Sequence, residues 1–289
     1  MSSKLTIRFY VFPNPVALAD AAARYFITRI PEPDANAVAR IAISGGGTPK
    51  AMFRNLGSEE YEKYAGRWKN LQLYWVDERC VPPDNAESNY HSTEEALLAW
   101  VPLPPENVHR MEGELYPAVA EERYQQVLID TFGLKGYEPP RGTKPYDLPR
   151  FDLVVLGLGP DGHTASLFPH TEALNALGEL VVANHVPQMN TWRITLTWPV
   201  INQGKEVVFL IEGADKADIL HEVLFGPRDP DRLPSQLINP ASGTLVFLLD
   251  EAAAAKIPRD GAWHGSADRS IPVIHQNARD TVPRQHHGG

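Results

Sequence analysis

Short apolar runs alternate along the chain with longer segments whose apolar residues recur at helical spacing. LTIRFYVF (5–12), VARIAIS (38–44), LQLYWVDE (71–78) and FDLVVLGLG (151–159) read as strands, as do WRITLT, EVVFLIEG and GTLVFLLD further on. The run in FDLVVLGLG is continuous rather than alternating, the pattern of a strand covered on both faces. Between the strands lie helical segments. NPVALADAAARYFITRI has Asn14 as N-cap and Pro15 at the first helical position. GGGTPKAMFRNLG reads as a glycine turn, then a short helix capped by Thr48, with Pro49 first and Gly57 as its stop. SNYHSTEEALLAW, YPAVAEERYQQVLIDTFG and ADKADILHEVLFG are further helices. Alternation of this kind predicts an α/β domain with a mainly parallel sheet. No internal repeat and no linker divides the chain, so one domain is expected over 1–257, with an irregular tail over 258–289.

Composition narrows the partners. The chain has 289 residues, 43% of them hydrophobic, enough for a sizeable core. Its formal charge of −9 argues against nucleic acid or an anionic membrane surface as partner. An anionic metabolite can still bind through a few local cations and backbone N–H groups. The single cysteine, Cys80, excludes an intramolecular disulfide and a cysteine metal cluster. No apolar run approaches the roughly 20 residues of a membrane-spanning helix, and MSSKLTIRFYVF reads as a strand rather than a signal peptide. A cytoplasmic protein is expected. No histidine motif for a metal and no G-x-S-x-G elbow is present, so neither metal nor cofactor is expected.

Parallel α/β sheets bind ligands outside the carboxyl ends of their strands. Three such ends carry chemistry. After Ile43 comes SGGGTPK, in which Ser44, Gly45, Gly46, Gly47 and Thr48 precede a helix N-terminus. Glycine freedom and unpaired amide N–H groups suit a phosphate, although the stretch also reads as a plain tight turn. After the third strand comes VDERC, where Asp77 suits sugar hydroxyls and Arg79 a phosphate or carbonyl oxygen. A solvated charge cluster is the alternative there. Cys80 reads as a small packed residue. After Leu156 comes GLGPDGHTAS. Its glycines match G-x-G-x-x-G, but Asp161 inside the pattern would repel a pyrophosphate, and no acid-ended strand follows at the ribose distance. An NAD site is therefore the weaker reading. The stronger one is a turn that exposes Asp161 and His163 just before a helix, with the carboxylate orienting the imidazole as a base.

Together, ISGGGTP, WVDERCVPPDNAESNY, GLGPDGHTASLFP and RITLT resemble the 6-phosphogluconolactonases, within the larger group that includes glucosamine-6-phosphate deaminase. With GADKADIL added, the resemblance covers about residues 5–255. It implies a modified Rossmann-like fold with helices on both faces of the sheet. It also implies hydrolysis of 6-phospho-D-glucono-1,5-lactone in the oxidative pentose phosphate pathway; separately, a monomer or weak homodimer is expected. His163 falls on the family's proposed base. The glycine loop is implied to hold the phosphate with Arg193 and Lys216, while Arg79 and Asp77 contact substrate.

Two other readings remain in view. The deaminases resemble DGHIAFNEP where this chain has DGHTASLFP, so the glutamate that supports their histidine is missing here, and they carry an aromatic where Arg79 stands. Both differences favour the lactonase. A non-catalytic sugar-phosphate sensor would usually carry a DNA-binding domain, whereas this sequence begins at its first strand.

Overall fold

The computed structural model describes residues 6–134, 148–240, 242–258 and 273–275. The chain opens with β1 (Thr6–Phe12) and α1 (Pro15–Ile27). The Asn14 side chain accepts the Ala17 N–H at 2.9 Å, and Pro15 occupies the first turn, where its missing N–H costs nothing. Then follow β2 (Ala39–Ile43), α2 (Gly47–Leu56), β3 (Leu71–Trp75), β4 (Asp77–Arg79), α3 (Asn89–Thr93) and β5 (Val108–His109). Next come α4 (Pro117–Phe132), β6 (Leu153–Leu156), β7 (Val181–Val186), β8 (Thr191–Leu196) and α5 (Trp198–Ile201). The last elements are β9 (Glu206–Ile211), α6 (Ala217–Phe225), β10 (Thr244–Asp250) and β11 (Val273–His275).

Eight strands form one sheet in the order β11-β1-β10-β9-β6-β2-β3-β5. Every pairing in it is parallel. This is the mainly parallel α/β arrangement expected from the alternation. From β2 the chain builds outward through β3 and β5, then returns to lay β6 against the other side of β2. The direction of winding reverses between β2 and β6, and a crevice opens at their carboxyl ends. The glycine loop and the His163 turn flank that crevice. All four side chains of β6 are buried, as its continuous apolar run requires. Further along the sheet Phe9, Phe247 and Phe209 stack across β1, β10 and β9, with centroids 4.7 and 5.2 Å apart.

A second, three-stranded sheet is antiparallel, in the order β4-β8-β7. Val76 carries the chain from the first sheet to the second. Its N–H donates to Ile43 at 2.9 Å and its carbonyl accepts from Leu196 at 2.7 Å. LQLYWVDE therefore forms two strands in two sheets, not one. RITLT belongs to the small sheet. Two further readings need correction. Val273–His275, in the stretch expected to be irregular, pairs parallel with β1. Thr48 is not a cap: α2 starts at Gly47, with Gly46 as N-cap at φ 111°. That left-handed angle is available to glycine and strained for threonine, so the turn closes two residues earlier.

At the opposite edge of the core, Glu206 is buried and bonded to α1. Its carboxylate accepts the Tyr25 hydroxyl at 3.0 Å and Arg29 Nε at 2.7 Å, while the guanidinium lies 3.7 Å over the Tyr25 ring. Burial and the nearby Glu206 charge raise the Tyr25 pKa, so the phenol remains a donor. Tyr25→Phe should lower stability by about 1 kcal/mol, because Arg29 still compensates the carboxylate. A urea midpoint that falls at constant m-value checks this.

Candidate active site

A cavity of about 680 Å³ opens at the crevice between β2 and β6. It brings together Ser44, Gly45, Gly46, Gly47, Thr48, Asp77, Arg79, His163, Arg193 and Lys216. Ten of the eleven expected site residues thus share one wall system. The eleventh, Asp161, stands behind His163 and touches it.

The His163 turn is built by its glycines. The Gly159 N–H donates to the His163 carbonyl at 2.8 Å, folding the loop back on itself. A Cβ at Gly159 would lie 2.1 Å from the imidazole ring, so only glycine leaves room for it. Gly162 adopts φ 83°, and its carbonyl accepts from the Ser235 N–H and hydroxyl at 2.9 and 2.8 Å. His163 Nδ1 and Asp161 Oδ1 are 2.5 Å apart, and the same carboxylate oxygen accepts the His163 N–H at 3.1 Å. Burial resists ionisation of Asp161, but the bonds and charge of His163 prevail and hold its pKa below the ordinary value. With the carboxylate on Nδ1, that nitrogen carries the ring proton and Nε2 is left to accept one. The other support is Phe168, stacked on the imidazole with centroids 4.1 Å apart. One expectation fails here: no α-helix follows His163. The chain makes a bridge between Thr164 and Leu167, and Ala165 takes φ 50° at the cavity wall.

The second wall is cationic. Arg79 of β4 and Arg193 of β8 are register partners in the antiparallel pair. Side chains directly opposite each other project from the same face, so two like charges are neighbours. Among the described residues neither guanidinium has a carboxylate partner. Arg79 donates to the Glu87 carbonyl; Arg193 donates to Thr191 Oγ1 at 3.0 Å and the Trp192 carbonyl at 3.1 Å. Burial, with the charge of Arg79, lowers the Arg193 pKa. An anion set between them would relieve that repulsion.

The third wall is the N-terminus of α2, which has no side-chain cap. Its first-turn amides open on the cavity with the positive end of the helix dipole. Ser44 Oγ is buried beside them and has no hydrogen-bond partner among the described residues. Lys216 sits on a tight turn before α6, its Nζ 3.6 Å from Asp215. Asp77 is buried, and its Oδ2 accepts the Ser166 hydroxyl at 2.7 Å. Cys80 lies outside the cavity wall; burial pushes its thiol up to about 11, so it is no nucleophile at neutral pH.

Sequence reasoning missed Asn89, Ser166 and Phe168, all on the cavity wall. Asn89 Nδ2 donates to the Asp77 carbonyl at 2.9 Å, and its Oδ1 occupies the space where a Cβ of Gly45 would sit, 1.9 Å away. The signals were Ser88, the N-cap of a helix that starts at Asn89, and the gap left by a glycine.

The model of the glucosamine-6-phosphate isomerases/6-phosphogluconolactonase family matches residues 13–247, most of the chain. The chain belongs to this family. A 6-phosphogluconolactonase of Haemophilus influenzae is 34% identical over 247 residues, 86% of this chain and 98% of that one. A 6-phosphogluconolactonase of Nostoc is 37% identical over 218 residues, 75% of this chain and 84% of that one. The solved structure of a Trypanosoma cruzi 6-phosphogluconolactonase superposes with a TM-score of 0.73 at 28% identity, covering 89% of this chain and 98% of that one. The family match spans both flanks of the β2–β6 crevice, from the glycine loop through β8. Among the described residues no group of three or more metal-ligating side chains occurs, and no helix is long and apolar enough to cross a membrane.

Proposed function

We propose that the chain hydrolyses 6-phospho-D-glucono-1,5-lactone to 6-phospho-D-gluconate, in the cytoplasm, as a monomer or weak homodimer. The observation that carries this reading is one cavity holding both a carboxylate-oriented imidazole and two adjacent guanidiniums that form no ion pair among the described residues. The first suits activation of water; the second suits an anionic substrate. The phosphate binds the uncapped α2 N-terminus, with the Ser44 hydroxyl, the Gly45–Thr48 backbone, Arg193 and Lys216. Asp77 receives sugar hydroxyls.

His163 Nε2 takes a proton from water as the oxygen attacks the lactone carbonyl carbon. Asp161 keeps the second ring proton on Nδ1 and faces the imidazolium that forms. Arg79 or backbone N–H groups hold the oxyanion. The tetrahedral intermediate then expels the ring oxygen, which recovers the proton from His163, leaving a carboxylic acid that ionises. The step balances with water as the sole co-reactant. A lactone is an activated ester, so a base worth about 10²–10⁴ and oxyanion donors worth about 10²–10³ each suffice.

The deaminase reading fits less well. Where the deaminases place the glutamate that supports their histidine, this chain has Phe168, whose ring stacks on the imidazole at an interplanar angle of 28°. Asp161 is the acid that bonds His163 here. An assay of freshly made 6-phosphogluconolactone, corrected for spontaneous opening, should show enzyme-dependent disappearance of lactone. Ammonia release from glucosamine 6-phosphate with no lactone hydrolysis would overturn the assignment.

A further inference from the structure

Glu78 is the one charged residue of β4 that turns away from the cavity, yet it is only 2% exposed. Strand alternation sends its side chain to the face opposite Asp77 and Arg79. Its carboxylate is fully engaged. Oε1 accepts the N–H groups of Arg79 and Asn89, both at 2.7 Å. Oε2 accepts the Ser88 hydroxyl at 2.9 Å and the Tyr90 N–H at 2.8 Å. Burial still pushes the carboxyl above its ordinary value against these four donors. A buried charge of this kind is costly, and a neutral cap would satisfy a helix start as short as α3.

What the four bonds fix is the relation between two walls of the site. They close the loop from Cys80 to Glu87 and set α3 against the end of β4. Asn89 then donates to the Asp77 carbonyl and seats its side chain against Gly45. Glu87 meanwhile presents its carbonyl to the Arg79 guanidinium. One carboxylate thus reaches the glycine loop through Asn89 and the guanidinium through Glu87.

We propose that Glu78 is a positioning residue for phosphate recognition: through Asn89 it holds the Gly45–Thr48 loop in the place where that loop meets the phosphate. This rests on the phosphate site described under Proposed function. Glu78 touches no substrate, and it acts on the phosphate loop through Asn89.

The test compares two substrates, 6-phosphogluconolactone and unphosphorylated glucono-1,5-lactone, in wild type and Glu78→Gln. The amide keeps the shape but replaces one acceptor oxygen by a donor facing N–H groups. KM for the phosphorylated lactone should rise about ten- to hundredfold while kcat holds within about twofold, since small misplacements of binding groups cost on that scale. Kinetic constants for the unphosphorylated lactone should stay within about twofold. Where Glu78→Gln fails to fold, Asn89→Ala decides, since it removes the strut and leaves the carboxylate cluster; it should show the same split. Equal losses on both substrates, or none on either, would overturn the positioning role. A wild type that uses both lactones equally well would overturn the phosphate site itself, and this inference with it.

Discussion

Replacing His163 with alanine should reduce turnover about 10²–10⁴-fold, the usual contribution of a positioned base. Binding of 6-phosphogluconate should persist within a few-fold, because the proposed phosphate contacts lie on other walls of the cavity. The two readouts together discriminate between roles. A ring that merely packed would, on deletion, loosen the turn and weaken both. The structure argues against mere packing, since the turn is held by Gly159, Gly162 and Ser235 through backbone and hydroxyl bonds that alanine at 163 retains. Single-turnover measurement of lactone opening, with product affinity by calorimetry, checks both arms. An unchanged turnover number sinks the base assignment. The sign of the pH dependence follows from Asp161. Its pKa is held below the ordinary value, so it stays ionised as pH falls through the usual carboxylate range and keeps its hold on Nδ1. Loss of the Asp161 bond should therefore cause no fall in activity across the usual carboxylate range. In Asp161→Asn that orientation is lost at every pH, and turnover should drop without a matching loss of product binding.

Much of this site was legible because its parts lie at strand ends. Period-two and continuous apolar runs mark where each strand stops, and the parallel-sheet rule then names the loops that meet. Asp161 and His163 are two residues apart, so their contact needed only a turn, and the glycines announced one. What was not legible depends on pairing between distant segments. That Val76 hands the chain to a second sheet is decided by Leu196. That Ser166 holds Asp77 is a contact across 89 residues, which no local pattern encodes. The start of α2 was misread by two residues because Thr48 is the better cap by side chain, whereas the left-handed angle at Gly46 decides where the helix begins. VDERC carries two adjacent acids, Asp77 and Glu78. Strand alternation makes them opposites: Asp77 lines the cavity, and Glu78 is buried behind it.

Arg193→Ala should raise KM for the phosphorylated lactone by about 10–100-fold and leave kcat nearly unchanged, the signature of lost uniform binding. The magnitude follows from the charge-assisted bonds a guanidinium makes to phosphate, each contributing about 1.5–3 kcal/mol. The pairing with Arg79 sharpens the expectation. In the free protein the two guanidiniums sit opposite each other without a carboxylate partner among the described residues, so their repulsion destabilises the unliganded state. Removing one relieves that repulsion. The variant should therefore unfold at the same or a slightly higher temperature without ligand, yet gain less from added 6-phosphogluconate than the wild type does. A purely structural arginine would show the reverse, a lower melting temperature with ligand stabilisation intact. Arg193→Lys separates charge from geometry. Lysine keeps the positive charge but not the planar fork, so it should recover only part of the affinity. Thermal shifts with and without product, set beside KM for the wild type and the two variants, measure this directly. Full recovery by lysine would reduce the site to a point charge and remove the reason for two arginines in register.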